Sequence, residues 1–548
     1  MDRLGKLRTR LDRAVFFAKT LRASKVVSPI RPSSLAQLLK DVRNTKLGPH
    51  VAVMFHAAAH PDKEAIVEYA EHGVRRYTWG EFDATINRLC NALIQRGVRG
   101  GARVALMLPN SSEYLIAQQA LARIGASAVQ IGYRLKAGEI AFILDNADPV
   151  VTLVYGDYVG TMLDARKQAN KGGALIVCGG EVTPGSPEME DWDRTIAGAS
   201  PEMPPRQTGG DGGGVIVYTS GTTGKPKGAS RAWKKTGFES VADMIYQVGM
   251  RADDRHLCVC PLYHSAAPAF VAIMMSLGAT IVLQNHFDPE QSLDIIQKER
   301  VTCSLMVPTM LIRTSNLPAE TRKKYDTSSL RWVMSGAAPL TTEAARRYMD
   351  AFGPVLWNFY GATETGLVTL AGPHDHVTHP GTIGKILRGV DIRLLDDAGN
   401  IVPPGEVGEL YARTPTLIGG YHGNDDATKS AQRDGYFSVG DVGRLDGEGH
   451  YYLESRKHDM VISGGVNIYP REIEDHLSTH PAILEAAVIG VPDPEWGETL
   501  RAFIVLRDGQ LLTEVEVVNY CREALADYKR PRKVTFLPEM PRNPTGKN

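Results

Sequence analysis

The stretch that decides the fold is YTSGTTGKPKG, residues 218–228, which follows the apolar run Val215, Ile216, Val217. A short apolar run that empties into a loop with three glycines, four hydroxyl side chains and two lysines predicts a strand feeding a phosphate-sized turn. Glycine frees the backbone to aim its amides at an anion, and Ser, Thr and Lys supply further donors. Gly, Ser, Thr and Pro also mark ordinary surface turns, but four hydroxyls and two lysines exceed what a turn requires. A Walker-type loop is excluded, because Thr219 stands where its first glycine belongs and Pro226 follows Lys225 where a hydroxyl is needed.

Around this stretch the 548-residue chain is too long for one core and predicts a multidomain protein. Lys plus Arg and Asp plus Glu balance at 62 each, so nothing global argues for a nucleic-acid partner. Six cysteines without a CxxC pair fit a reducing, cytoplasmic setting. Residues 1–49 carry twelve basic and three acidic side chains, with Leu4, Leu7, Leu11, Val15 and Phe16 at near-helical spacing. Two readings follow: a helix on an anionic membrane surface through residues 1–30, or one packed on the protein's own body. The uncharged run between Arg255 and Asp288 is cut by Pro268 and Gly278 into a helix and a short strand, too short for a membrane span.

From about Pro61 helical and strand patterns alternate. Thr78 and Glu81 predict a capping box, and Gly97 the stop of the same helix. Alternation predicts an α/β fold of mixed or parallel sheets covered by helices, with ligands at the carboxyl ends of strands. Residues 257–260 read as a strand carrying Cys258 and Cys260 on one face. From Val390 the spacing shortens to hairpins, and after Arg456 a compact unit begins.

Three later stretches look like partners of the phosphate loop. NFYGATETG, residues 358–366, offers Glu364 beside Thr363 at the end of a strand, an acid suited to magnesium. SGAAPL, residues 335–340, has small side chains against which a flat base can lie. Asp441, after Gly440, suits a pair of ribose hydroxyls, with Arg456 in reach of the sugar or a phosphate. MPRNPTGKN ends the chain and presents Lys547 as a cation for developing charge. His374, Asp375, His376 and His379 lie in a stretch expected to be a solvated loop rather than a metal cluster.

In this order and spacing the stretches resemble the adenylate-forming superfamily of acyl-CoA synthetases, luciferases and peptide-synthetase adenylation domains. The resemblance runs from about Pro61 to the end of the chain. It implies a large N-terminal domain of several subdomains, residues 51–456, with a β-barrel-like part, and a small mobile α+β C-terminal domain, residues 457–548. It implies ATP, Mg2+ and coenzyme A, with a carboxylic acid becoming an acyl adenylate and then a thioester. By resemblance Thr219, Ser220, Gly221, Thr222, Thr223, Gly224, Lys225 and Lys227 would cradle the β and γ phosphates. Glu364 and Thr219 would hold magnesium, with Thr363 alongside. Gly336, Ala337, Ala338, Asn358, Phe359, Tyr360 and Gly361 would surround adenine, and Asp441 and Arg456 the ribose. Lys547 would bridge the acyl carboxylate and the α phosphate, and His264 would stand near that carboxylate. Ser463, Gly464 and Gly465 would border a pantetheine tunnel.

Two departures from the family pattern stand out. His458 occupies the hinge position that usually carries Asp or Lys, and the sequence stops one residue after Lys547. The phrase DMVISGGVNIYPREIE is most like bacterial medium- to long-chain fatty acyl-CoA ligases, and the apolar surroundings of His264, Val333, Met334 and Trp357 favour a fatty or other hydrophobic acid. The alternatives are a free-standing enzyme that loads a carrier protein and a catalytically idle, membrane-associated homologue. A homodimer stays open.

Overall fold

The computed structural model describes residues 3–26, 29–43, 45, 48–70, 73–180, 189–207, 213–219, 227–232, 238–362, 364–414, 431–457, 459–463, 466–494 and 496–541. The chain divides into two compact units. The first comprises residues 1–305, 318–333 and 418–428, the second residues 306–317, 334–417 and 429–548.

The first unit holds a seven-stranded sheet in the order Met189–Asp191, Ala174–Cys178, Val151–Tyr155, Arg103–Met107, Ser127–Gln130, Gly214–Thr219, Lys227–Ala232. All neighbours are parallel except the last two, which form an antiparallel hairpin. The strands are apolar on both faces because helices cover both, and Val129, Ile143, Val154 and Val177 lie in one of the resulting cores. The loop predicted to bind phosphate therefore leaves the carboxyl end of a parallel strand, where open α/β sheets bind ligands.

A second group of strands in this unit runs Gly73–Thr78, Glu64–Ala70, Thr280–Gln284, Arg255–Cys258, Cys303–Leu305. The strand predicted over 257–260 ends at Cys258, and the chain turns before Cys260. Both cysteines are buried among core residues all the same. The predicted capping box forms, with Glu81 N donating to Thr78 Oγ1 at 3.2 Å and Thr78 N to Glu81 Oε2 at 2.8 Å. It starts the helix Trp79–Gln95, and Gly97 with φ 87° ends it. The uncharged run splits as expected, into a helix Ala266–Leu277, a left-handed cap at Gly278 and the strand Thr280–Gln284.

The basic first helix, Arg3–Ala23, packs on this unit. Phe16 is buried with its ring 5.9 Å from that of Tyr246, Arg13 pairs with Glu239 at 2.8 Å, and Lys25 pairs with Asp253 at 2.6 Å. Among the described residues no helix is long and apolar enough to cross a membrane.

In the second unit the strands Leu356–Ala362, Gly366–Ala371, Thr382–Ile386, Tyr451–Arg456, Tyr436–Leu445, Val407–Arg413 and Asp391–Leu395 lie side by side in that order, each antiparallel to the next. A smaller sheet contains Val466–Ile468, Val461–Ser463, Gly497–Leu506 and Ile483–Asp493, with Lys533–Phe536 added beside Gly497–Leu506. The helices Pro470–Ser478 and Glu514–Ala524 supply Ile473, Leu477, Val517 and Cys521 to its core. This is the α+β arrangement expected for the C-terminal part.

Candidate functional site

The residues expected around the nucleotide fall in the second unit. The strand Trp332–Ser335 delivers Gly336, which lies directly against Phe359. A Cβ at Gly336 would sit 2.4 Å from Phe359 Cε1, so only glycine lets the ring rest on the backbone here. Ala337 follows at φ 65°, a strained conformation for a residue with a side chain, and is exposed. Asn358 and Phe359 are buried on the strand Leu356–Ala362.

That strand slips register between Tyr360 and Gly361, where a Cβ at Gly361 would lie 2.0 Å from Gly366 O. The slip bends the strand end into a turn, closed by Ala362 N donating to Thr365 Oγ1 at 3.1 Å, and Glu364 sits half-buried in that turn. Thr363 lies outside the described residues.

Asp441 and Arg456 face each other across the hairpin formed by Tyr436–Leu445 and Tyr451–Arg456. Tyr360 donates to Asp441 Oδ2 at 2.6 Å, and Arg456 Nε lies 3.4 Å from Oδ1. Burial, and then the neighbouring Asp441 carboxylate, push the Tyr360 phenol well above its ordinary range, so it remains a hydrogen donor at any working pH. Tyr360, expected beside adenine, thus uses its hydroxyl to orient the predicted ribose ligand. Gly440, with φ 81°, turns the chain just before Asp441, and Lys457 N donates to Gly440 O at 2.7 Å.

Arg471 reaches the same neighbourhood, donating to Leu340 O at 2.6 Å while pairing with Asp475 at 3.1 Å. Sequence reading gave no sign of it. Ser463 ends the strand Val461–Ser463. His458, Gly464, Gly465 and Lys547 lie outside the described residues.

The strands that flank the loop expected to bind phosphate, and His264, fall in the first unit. Thr219 and Lys227 pair across the antiparallel strands Gly214–Thr219 and Lys227–Ala232. Ser220, Gly221, Thr222, Thr223, Gly224 and Lys225 lie outside the described residues. Tyr218 donates to Asn146 Oδ1 at 2.6 Å, and burial raises its phenol to about 12.

His264 stands in a turn just before the helix Ala266–Leu277, with His264 N donating to Pro261 O at 3.2 Å and its ring 4.1 Å from that of Tyr263. Two buried residues that sequence reading missed hold this turn. Asn110 donates to Cys260 O at 3.1 Å and accepts from Leu262 N at 2.9 Å, while the Tyr114 hydroxyl reaches Leu262 O and lies 2.8 Å from Gln130 Oε1. Asn110 also donates to Gln284 O at 3.2 Å, and an asparagine satisfying three main-chain groups is a packing event between distant strands that leaves no local pattern.

The comparisons with known proteins bear on the same residues. The family model described as AMP-binding enzyme matches residues 54–422, and that described as AMP-binding enzyme C-terminal domain matches residues 472–547. The chain belongs to the AMP-binding enzyme family. Within this family it is 34% identical over 508 residues to a feruloyl-CoA synthase of an Amycolatopsis species, covering 92% of this chain and 96% of that protein. It is 33% identical over 473 residues to the long-chain-fatty-acid–CoA ligase FadD13 of Mycobacterium tuberculosis, covering 86% and 91%. The solved anthranilate CoA ligase AuaEII, in complex with anthranoyl-AMP, superposes with a TM-score of 0.82 at 26% identity, covering 93% and 96%. Family membership makes the chain an AMP-forming acid–thiol ligase that uses ATP, Mg2+ and coenzyme A, as expected from the sequence.

Proposed function

We propose that this protein converts a hydrophobic carboxylic acid, aromatic or medium- to long-chain fatty, into its CoA thioester through an acyl adenylate. The observation that carries the nucleotide half is Asp441, held by Tyr360 and Arg456, with one strand bearing both Tyr360 and the Phe359 ring that covers Gly336. A fixed carboxylate suits the vicinal hydroxyls of a ribose, and a ring on bare backbone suits a flat base.

Both reactants are anions, so the first step needs neutralisation and alignment more than covalent help. Bound Mg2+ would offset phosphate charge, and Glu364 on its closed turn is the carboxylate to hold it, with Thr219 at the end of the phosphate strand. Lys227 and the loop residues 220–225 would hold the departing pyrophosphate. Lys547 would bring the acid and the α phosphate together. His264, steadied through Asn110, would orient the acyl carboxylate. Gly464 and Gly465 would leave room for the pantetheine arm beside Ser463.

For the acyl group, the fatty reading widens to include aromatic acids. The relatives include feruloyl- and fatty-acid-specific enzymes, and the surroundings of His264 are rich in rings. Tyr133 stacks on Tyr158 at 5.0 Å and meets Tyr263 edge-on at 5.0 Å. Helix Ala266–Leu277 adds Phe270 and Met274, both buried. Val333 and Met334 are also fully buried, which makes them core packing rather than exposed lining.

The test is a panel of acids, from acetate through long-chain to cinnamic and benzoic types, scored for pyrophosphate with ATP alone and for thioester with CoA. Pyrophosphate and thioester with apolar or aromatic acids are expected. Pyrophosphate without thioester would overturn CoA as acceptor, and pyrophosphate with no acid would overturn the reading.

A further inference from the structure

We propose that Asp375, His379 and His450 form a second metal site, apart from the magnesium position at Glu364, that takes a borderline divalent transition ion such as Zn2+ or Co2+. Their ligand atoms lie within 4.8 Å of one another. The stretch expected to be a solvated loop is instead the helix Pro373–Thr378, with His376 buried against the body. That helix supplies what the sequence lacked, a regular element to hold ligands.

Asp375 sits in its first turn, where Oδ2 accepts from Gly372 N at 2.7 Å and Oδ1 is left facing His450 Nε2 at 3.4 Å. His379 caps the other end four residues on, which places it on the same face. His450 comes from the turn before Tyr451–Arg456. Asp446 fixes that turn by accepting from Glu448 N at 2.8 Å and His450 N at 2.9 Å.

Thr378 Oγ1 donates to His374 O at 3.1 Å, so toward His379 Nδ1, at 2.8 Å, it accepts. By these partners Nδ1 carries the hydrogen toward Thr378, and His379 Nε2, on the other side of the ring, faces Glu448 Oε2 at 3.1 Å. His450 repeats the pattern in a drier place. It is 2% exposed, its Nε2 faces a carboxylate oxygen, and its Nδ1 lacks a hydrogen-bond partner among the described residues, with Asp446 Oδ2 3.6 Å away.

The two imidazole rings stack at 3.6 Å. One divalent ion would be bonded to His379 Nε2, His450 Nε2 and Asp375 Oδ1, which the fold brings together. Two imidazoles and a carboxylate select Zn2+ or Co2+ over the oxygen-seeking Mg2+. Zn–N bonds of about 2.0–2.1 Å require the set to close inward, which rotation of the less buried His379 ring allows. The ion would tie the helix that follows the Glu364 strand pair to the hairpin bearing Asp441 and Arg456.

The full-length protein, stripped of metal and without nucleotide, would be titrated with Zn2+ by calorimetry, with Co2+ by visible absorption, and scanned for thermal shift. One ion per chain, tetrahedral Co2+ bands and a rise in Tm that millimolar Mg2+ does not reproduce are expected. His379→Ala, whose side chain is at a helix end, should fold with unchanged Tm in chelator and lose about tenfold or more in Zn2+ affinity. Asp375→Asn should lose affinity likewise, while Glu364→Gln should keep it. No Zn2+ binding by the wild type, or equal binding by wild type, His379→Ala and Asp375→Asn, overturns the site.

Discussion

Tyr360 donates its phenolic hydrogen to Asp441 Oδ2 at 2.6 Å, from a strand eighty-one residues earlier in the chain. The bond occupies one carboxylate oxygen and leaves Oδ1 beside Arg456. A hydrogen bond to a charged group of this kind contributes about 1.5–3 kcal/mol. Tyr360→Phe is therefore expected to raise the KM for ATP roughly 10- to 150-fold with little change in the acid's KM, and Asp441→Asn to raise it further. Steady-state kinetics with either substrate varied would check this, and an unchanged KM for ATP in Tyr360→Phe would dismiss the positioning role.

Gly336 and Phe359 offer a steric test. Because a Cβ at residue 336 would stand 2.4 Å from Phe359 Cε1, Gly336→Ala must displace the ring. Overpacking of this kind costs about 1–3 kcal/mol, and nucleotide affinity should fall roughly 5- to 150-fold. Adding Phe359→Leu should recover part of the loss, since the smaller side chain yields. Calorimetric titration with AMP would measure both variants.

A buried charge cluster in the first unit sets a stability prediction. Arg75 bridges Glu113 at 2.7 Å and Glu68 at 2.9 Å, and Ser112 also donates to Glu68. Burial, and then Glu113, raise the Glu68 carboxyl above its ordinary range, and Arg75 acts against that shift. Arg75→Met should cost about 3–5 kcal/mol, the toll of stranding a buried charge. Adding Glu68→Gln should return some of that. Urea midpoints of the three proteins would decide it.

His256 predicts part of the acid response. It is fully buried, 3.6 Å from Cys303 Sγ, and burial lowers its imidazole to about 3. A group depressed on folding contributes stability that is present above its ordinary value of 6.5 and is lost as pH falls toward about 3. Within that window the slope approaches about 1.4 kcal/mol per pH unit. His256→Phe should flatten the dependence of the urea midpoint on pH between 6.5 and 4. Parallel curves for both proteins would assign the acid sensitivity elsewhere.

Much of this protein is legible in local sequence. The capping box at Thr78 and Glu81, the break at Gly278 and the strand that empties into the phosphate loop are all written in neighbouring residues, because caps, left-handed turns and apolar runs are short-range chemistry. The helix Pro373–Thr378 was missed for a reason of the same kind. Six residues with three ring-bearing side chains give no periodicity, and the helix is held by an Asp375 cap on a glycine and by burial of His376.

The sequence by itself determined the family and its AMP-forming ligase chemistry, because the residues that mark the family stand in short local motifs. Only the tertiary structure decided what those residues are attached to. That Tyr360 serves Asp441, that Asn110 and Tyr114 hold the turn of His264, and that His450 meets Asp375 and His379 depend on pairings between segments far apart in the chain. Hydrogen bonds, ion pairs and packing act over a few ångströms of space regardless of separation in sequence, so folding, and no local pattern, chooses the partners.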